Sequence, residues 1–477
     1  MDKSVKELYK KVFTIGLPVS IENMIYSLMN FIDIFMVGKK DIVLGLGTSA
    51  VAGLGFANQV FMVFIVSLFG MNSGGGILAA QYYGSKDYKN LKKCLGITIT
   101  VGFLFSILFF LMGIFIPEKI IGIFTSDVKV LDLGSRYFRI ITLVYPLIGI
   151  GYAFNMQLRA IGKTKYSLYS TIIGLCINLI GNYFLINGNF GFPAMGVEGA
   201  AVATIIARII SIFYLIYIIY KYKLPMAGTF SELFKLSWNF IVKTLKISLP
   251  VFGHEIMWVI GVSLYVVIYG RMGTEATAAI QVVKSISNLV FTLIFGLSSG
   301  TAAIIGQEIG AGNEENAYRY AVELLKISLV AGVIVALFVY AVSPLVLILM
   351  KVDRAIYPLA RQIVFSEGIL IVIKTAGTLF IVGILRAGGD TLWTMFADLI
   401  PLWTFAIPLT YFAGLKLGLP VALVYLCSGS DEILKMPFCM RRLKSRKWIN
   451  NFVKTSPNNF IQFYFEEAHN LFPKKDD

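Results

Sequence analysis

Few residues in this 477-residue chain could do chemistry, and most of them interrupt long apolar runs. Asp33 stands near the middle of such a run. Asn178 and Asn182, four apart and therefore on one helical face, lie in another, and Thr204 in a third. A carboxylate with no water around it must carry a proton, hold a cation or find a partner. The amides and the hydroxyl add oxygen donors of the kind hard cations such as sodium prefer. The same three polar residues could instead serve only as hydrogen bonds between helices. A second set lies in the C-terminal half: His254 beside Glu255, Lys284, Glu367 and Lys374, and Asp398. Two readings stand for this set. Glu255 and Asp398 could form a buried ion-pair network with Lys284 and Lys374, or they could supply a second coupling or substrate site, with His254 as a satisfied polar residue or a proton relay. Glu367 and Lys374 are two turns apart, about 10 Å along a helix axis, so direct pairing requires the full reach of a long side chain.

Other features look chemical and are better read as packing. Gly74, Gly75 and Gly76 resemble a phosphate loop, but no GK[ST] follows; they suit close helix approach. No Ser/His/Asp set, nucleotide-binding motif or HExxH is present, and two histidines exclude most catalytic zinc sites. The expectation is a protein that is not an enzyme and needs no cofactor. Cys94, Cys176, Cys427 and Cys439 show no CxxC spacing. Aromatic and methionine side chains such as Tyr26, Phe61, Met257 and Trp258 would suit an adaptable pocket for organic cations.

The elements that must carry these residues are membrane spans. The chain is 57% hydrophobic and 14% charged, against about 45–50% and about 25% in soluble domains. Gly, Pro and charge clusters divide it into twelve segments long enough to cross a bilayer: 15–38, 49–78, 92–116, 133–158, 166–187, 197–220, 247–270, 276–306, 318–349, 357–386, 392–414 and 418–440. Pro146, Pro401 and Pro408 fall inside spans and predict kinks. The net charge of +15 does not suggest nucleic acid, because the basic residues sit in short clusters between apolar segments. Most fall on one side: the leader, the loops 79–91, 159–165, 221–246 and 307–317, Arg386, and the tail from Arg441. That bias predicts cytoplasmic N- and C-termini.

An internal repeat organises the spans. ISLPVFGHEIMWVIGVSLYVVIYG from Ile247 follows IGLPVSIENMIYSLMNFIDIFMVG from Ile15, so that Pro250 faces Pro18. Gly296, Gly300, Gln307 and Gly310 face Gly70, Gly74, Gln81 and Gly84, and LRAGGDT at Leu385 faces LRAIGKT at Leu158. Each half holds six spans, an even number, so both enter the membrane in the same direction. The predicted fold is an all-α integral membrane protein of twelve transmembrane helices in two pseudo-symmetric six-helix bundles around a central cleft. Its predicted parts are a cytoplasmic amphipathic leader (1–14), an N-lobe (15–220), a cytoplasmic linker (221–246), a C-lobe (247–440) and a cytoplasmic basic tail (441–477).

The doubled LP, NFIDIFMVG, GQEIGAGN at Gly306, the paired LRA(I/G)G(K/D)T and GVEGAAVATIIAR at Gly196 together resemble the multidrug and toxic compound extrusion (MATE) family. The resemblance implies secondary antiport: an organic, often cationic compound leaves as sodium ions or protons enter, while the protein rocks between outward-open and inward-open states. It also implies the cytoplasmic membrane of a prokaryote, and a monomer whose partners are small organic cations, the coupling ion and lipid. Asp33 matches the family's first-span carboxylate, Asn178 its fifth-span asparagine and Thr204 its sixth-span hydroxyl. Asn182 stands where many relatives have aspartate, which implies one negative charge fewer, a weaker sodium site and a larger role for protonation of Asp33. Glu255 and Asp398 resemble acidic residues of the seventh and eleventh spans seen in some branches. GLPVALVYLCSGSDEILK departs from the first half's motif. The rival within the same broad superfamily is a lipid-linked oligosaccharide flippase, for which Lys284 and Lys374 speak.

Overall fold

The computed structural model describes residues 3–44, 47–186, 188–349 and 356–454, and no strand occurs among them. Among the described residues eleven helical segments are long and apolar enough to cross a membrane. The twelfth span is broken into Val421–Cys427 and Ser430–Ser445, with Gly429 between them. Its second piece carries Asp431, Glu432 and Lys435, which keeps it below the hydropathy of the other eleven. The protein is an all-α, multi-pass membrane protein with two pseudo-symmetric bundles of six spans.

The helices run past the apolar segments from which they were predicted. The first extends from Lys3 to Leu44, so the leader from Lys3 onward is the start of that helix. The seventh runs from Trp238 to Arg271 and takes in the end of the predicted linker. Ahead of it a short helix, Phe230–Phe234, is held by a capping box of Thr229 and Glu232. The Lys92 ammonium, 2.8 Å away, and the Thr229 backbone hold the Glu232 carboxyl below its ordinary range. Trp238, the first residue of the seventh helix, is 74% exposed on the protein surface. Pro146 follows a 3-10 turn at Thr142–Val144, and Pro401 precedes a π-helical turn at Leu402–Ala406. Pro408 opens the next short helix, Ile407–Tyr411. At each predicted kink the regular α-helix thus gives way to another helical form beside the residue whose ring removes a backbone donor.

The chain divides into two compact units, and the division falls inside three helices, the first, second and seventh. One unit comprises Ile21–Ala79 and Asp87–Ser248. At its centre Phe64 stacks on Tyr145 with ring centroids 4.5 Å apart, and Phe109 packs against Phe64. In this unit Gly74 meets the start of the seventh helix: its N–H donates to Ser248 Oγ at 3.0 Å, and a Cβ there would overlap the Thr244 carbonyl. This is the close approach read from the glycine run.

The other unit comprises the described parts of Met1–Ser20, Ala80–Lys86 and Leu249–Asp477. The start of the first helix packs here against the eighth, with Gly16 on Gly296 and Gly300, and Ser20 Oγ donating to the Leu293 carbonyl at 3.1 Å. Gly84 and Gly310 form a reciprocal crossing, each lying against the backbone carbonyl of the other helix's glutamine, Gln307 and Gln81. The basic tail is in part folded into this unit. Arg441–Ser445 complete the last helix, Trp448 and Phe452 are buried, and Gln81 bonds the backbone of Asn450 and Phe452 at 2.9 Å each. Residues 455–477 of the predicted tail lie outside the described residues.

The crossing generates a test. Gly84→Ala places a methyl group against the Gln307 carbonyl, whereas Gly55→Ala meets nothing within 4 Å. Overpacking of this kind costs about 1–3 kcal/mol, so Gly84→Ala should lower the thermal unfolding midpoint of detergent-solubilised protein. Gly55→Ala should leave the midpoint unchanged or raise it slightly, since alanine favours the helix. Equal midpoints for the two variants would contradict the close crossing.

Candidate functional site

The first helix is uninterrupted through Asp33, and the fifth and sixth helices, Thr164–Leu185 and Val197–Lys221, lie side by side against it in the same unit. Asn178 and Asn182, one turn apart, both face Asp33, as the i, i+4 spacing requires. Asn182 Nδ2 donates to Asp33 Oδ1 at 2.5 Å and is 3.3 Å from Asn178 Oδ1. Thr204 Oγ1 is 3.3 Å from Asp33 Oδ2 and accepts from Asn178 Nδ2 at 3.0 Å. All four residues predicted for the N-lobe site thus meet. Asp33 is 5% exposed and the two asparagines are fully buried.

Neutral groups alone bond this carboxylate, and one oxygen of the cluster is left over. Asn182 Oδ1 is buried with no hydrogen-bond partner. An amide can present either end: its N–H to a bare carboxylate, or its oxygen to a protonated carboxyl or a cation. The cluster can therefore satisfy both states of Asp33 by rotating one amide. Asp33 and Thr204 also wall a cavity of about 20 Å³, room for about one water. Arg208, Asn58, Tyr137 and Tyr145 complete its polar lining, and the Arg208 guanidinium lies 4.6 Å from the Tyr26 ring centroid.

In the C-terminal half the predicted residues form two groups. In the first, His254 Nε2 contacts Asp398 Oδ2 at 2.6 Å, and Arg386 reaches both Glu255 Oε1 at 2.8 Å and His254 Nδ1 at 2.6 Å. Arginine can only donate, so Nδ1 accepts and Nε2 carries the hydrogen that goes to Asp398. Lys435 bonds the other oxygen of Asp398 at 2.5 Å and Glu432 at 2.9 Å. A buried network exists, but its cations are Arg386 and Lys435, not the Lys284 and Lys374 expected from the sequence. Arg386 follows a π-helical stretch, Leu379–Leu385, and its N–H bonds the Ile381 carbonyl five residues back.

In the second group Lys374 Nζ donates to Glu367 Oε2 at 2.8 Å, and the Tyr425 hydroxyl donates to the same oxygen at 3.1 Å. The two-turn gap is thus closed by the reach of the lysine arm. Lys284 lies 5.9 Å from the Tyr269 ring centroid.

Sequence reasoning missed Arg386 and Lys435 as site residues, along with one pair in the first half. Glu22 is fully buried and takes Arg159 at 3.1 Å. Arg159 and Arg386 are the arginines of the two LRA motifs, both counted as loop charges by the orientation rule. The repeat held the usable signal: an arginine kept at the same place in both halves, opposite Glu22 in one and His254–Glu255 in the other.

The MatE family model matches residues 18–184 and 250–412. The chain is 25% identical over 446 residues to the uncharacterized transporter YisQ of Bacillus subtilis, covering 92% of this chain and 94% of YisQ. To the probable multidrug resistance protein NorM of Thermotoga maritima it is 24% identical over 465 residues, covering 95% and 96%. Among solved structures, a MATE protein in a bent conformation superposes with a TM-score of 0.83 at 18% identity, covering 94% of this chain and 99% of that one. A mutant of the Vibrio cholerae MATE transporter VcmN gives 0.83 at 16%, covering 93% and 98%. With one family model matching both halves of the repeat, the chain belongs to the MATE family of membrane transporters.

Proposed function

We propose that this protein is a secondary active antiporter that exports organic, cationic compounds from a prokaryotic cell across the cytoplasmic membrane. Inward sodium ions or protons drive export through alternating access of the two lobes, with both termini cytoplasmic. The observation that carries this reading is the Asp33 cluster: a buried carboxylate bonded by neutral groups beside an unpartnered amide oxygen. Such a carboxylate is free to exchange its counter-ion, and Asp33, Asn178, Asn182 and Thr204 would hold that ion. The multidrug resistance named for NorM relatives supports small organic compounds as cargo. One charge moving across 100 mV is worth about 2.3 kcal/mol. One-for-one exchange of monovalent cations is therefore electrically neutral and runs on the coupling ion's concentration gradient. Ion and cargo must favour opposite conformations, because only differential affinity shifts such an equilibrium.

The group around Asp398 fits a different role. Glu255 and Asp398 already have Arg386, His254 and Lys435 as partners, so an incoming cation would have to displace a tethered one. We assign these residues, with His254 as a neutral link, to a fixed ion-pair network that holds the seventh, tenth, eleventh and twelfth spans together. The flippase reading gains nothing from the Asp33 cluster, which has no use for a lipid-linked sugar.

Three outcomes check these assignments. Asp33→Asn should abolish dye-cation export from proteoliposomes under either a sodium or a proton gradient while folded yield stays at the wild-type level; undiminished export would sink the coupling role. Asn182→Asp adds a second carboxylate and should strengthen sodium-driven export relative to proton-driven export. An unchanged ratio would show that the amide does not face the ion. Arg386→Gln strands the Glu255 charge and should cost about 3–5 kcal/mol of stability, seen as a lowered unfolding midpoint. Adding Glu255→Gln should recover part of the loss, whereas additive losses would argue against the pair.

A further inference from the structure

The last helix ends at Ser445, and Arg446, at φ +57°, turns the chain out of it. The segment that follows, residues 446–454, adds no span, yet two of its side chains, Trp448 and Phe452, are fully buried. It is tied down along its length. The Asn450 N–H donates to the Gly388 carbonyl at 3.0 Å, and Trp448 lies so close to Gly388 that a Cβ there would overlap the Trp448 carbonyl. Just before the segment, Arg442 grips Asp390 with bonds of 2.7 and 3.0 Å. Arg446 pairs with Glu315 at 2.6 Å, and Asn451 Nδ2 donates to the Ile309 carbonyl at 2.6 Å, both where the eighth helix gives way to the ninth.

The repeat shows that the receiving loop is shaped for this segment. LRAIGKT and LRAGGDT differ at two positions only, where Gly388 stands for Ile161 and Asp390 for Lys163. Those are the positions that meet Trp448 and Arg442. The first half's isoleucine would collide with the Trp448 backbone, and its lysine would repel the guanidinium. One more partner remains. Gln81 is fully buried and spends both ends of its amide on the segment: Nε2 donates to the Asn450 carbonyl and Oε1 accepts from the Phe452 N–H, each at 2.9 Å. Gln81 sits near the end of the second helix, Gly47–Gly84, whose residues up to Ala79 belong to the other compact unit. The first and seventh helices cross that division beside Pro18 and Pro250, where a helix can bend; the second crosses it without a proline.

We propose that residues 446–454 are a latch on the end of the second helix, and that Gln81 releases and rebinds this latch in every transport cycle. The inference rests on the reading of alternating access. A second helix that moves as one body carries Gln81 with it, so the two Gln81 bonds must break while Trp448 keeps the segment on its loop. Two neutral hydrogen bonds suit that task, because each is worth little net of the water that replaces it. The latch thereby sets how often this end of the protein opens.

The test places spin labels on Lys86→Cys and Lys454→Cys, both exposed, in purified full-length protein in nanodiscs, with Cys176 and Cys427 changed to serine. Pulsed electron paramagnetic resonance should give a short and a longer distance. Gln81→Leu, which keeps the bulk and neither bond, should raise the ratio of long to short about fivefold or more. If Gln81→Leu does not fold, Gly388→Ile, which restores the first half's residue and displaces Trp448, should raise the same ratio. A single short distance, or a ratio unmoved in the variant that folds, overturns the latch. In proteoliposomes, a bismaleimide with a disulfide spacer joining the two cysteines should stop dye-cation export, and reduction of the spacer should restore it. Undiminished export by the linked protein would mean that the second helix bends at Ser73–Gly76 instead, and also overturns the latch. If the unlinked protein exports nothing under either gradient, the antiport reading fails and the distances alone decide the latch.

Discussion

A charge inside a bilayer has no water to turn to, so its counterpart must come from the protein or from a bound ion. That constraint sorts the deep acids of this chain by partner. Glu22, Glu255, Glu367 and Asp398 each lie within ion-pair distance of a lysine or arginine that the fold brings to them. Asp33 is hydrogen-bonded by the Asn182 amide and the Thr204 hydroxyl, and no lysine or arginine among the described residues lies within ion-pair distance of it, although Arg208 lines the same small cavity. The first kind is locked, since opening the pair strands two charges. The second can trade its counter-ion, and that difference sets the candidate ion site apart from the ion pairs that brace the spans.

Partner choice follows from how closely helices approach. Glycines at the crossings let backbones touch: Gly16 on Gly296, Gly74 on Thr244 and Ser248, Gly84 on Gln307. Lipid supplies no hydrophobic drive between helices, so packing and polar bonds do this work. The π-helical turns add a second adjustment. By inserting an extra residue into the turn before Arg386 and after Pro401, they rotate the side chains that follow. Arg386 consequently reaches Glu255 and His254 inside the unit, although its position in the sequence reads as a loop.

How much was legible depended on whether a signal was local. Asp33 and the Asn178/Asn182 face could be read from one helix each, and Thr204 from its depth in an apolar run. Their meeting needed only that three spans of one bundle touch. The C-terminal half resisted because the reading paired charges that lay deep in predicted spans. Lys284 and Lys374 were deep, and Arg386 and Lys435 were at span ends or in a broken helix. In the folded chain depth along a span did not decide which cation met which acid; the rotation of the helix did.

The sequence by itself determined the membrane environment, the twelve segments, the twofold repeat and the oxygen-rich cluster at Asp33. Those follow from hydropathy, period and composition, which act along the chain. Only the tertiary structure decided that Arg386 and Lys435 neutralise Glu255 and Asp398, and that the first, second and seventh helices each contribute to both compact units. These outcomes rest on side-chain reach and helix rotation between segments far apart in sequence, and no local pattern encodes the distance between them.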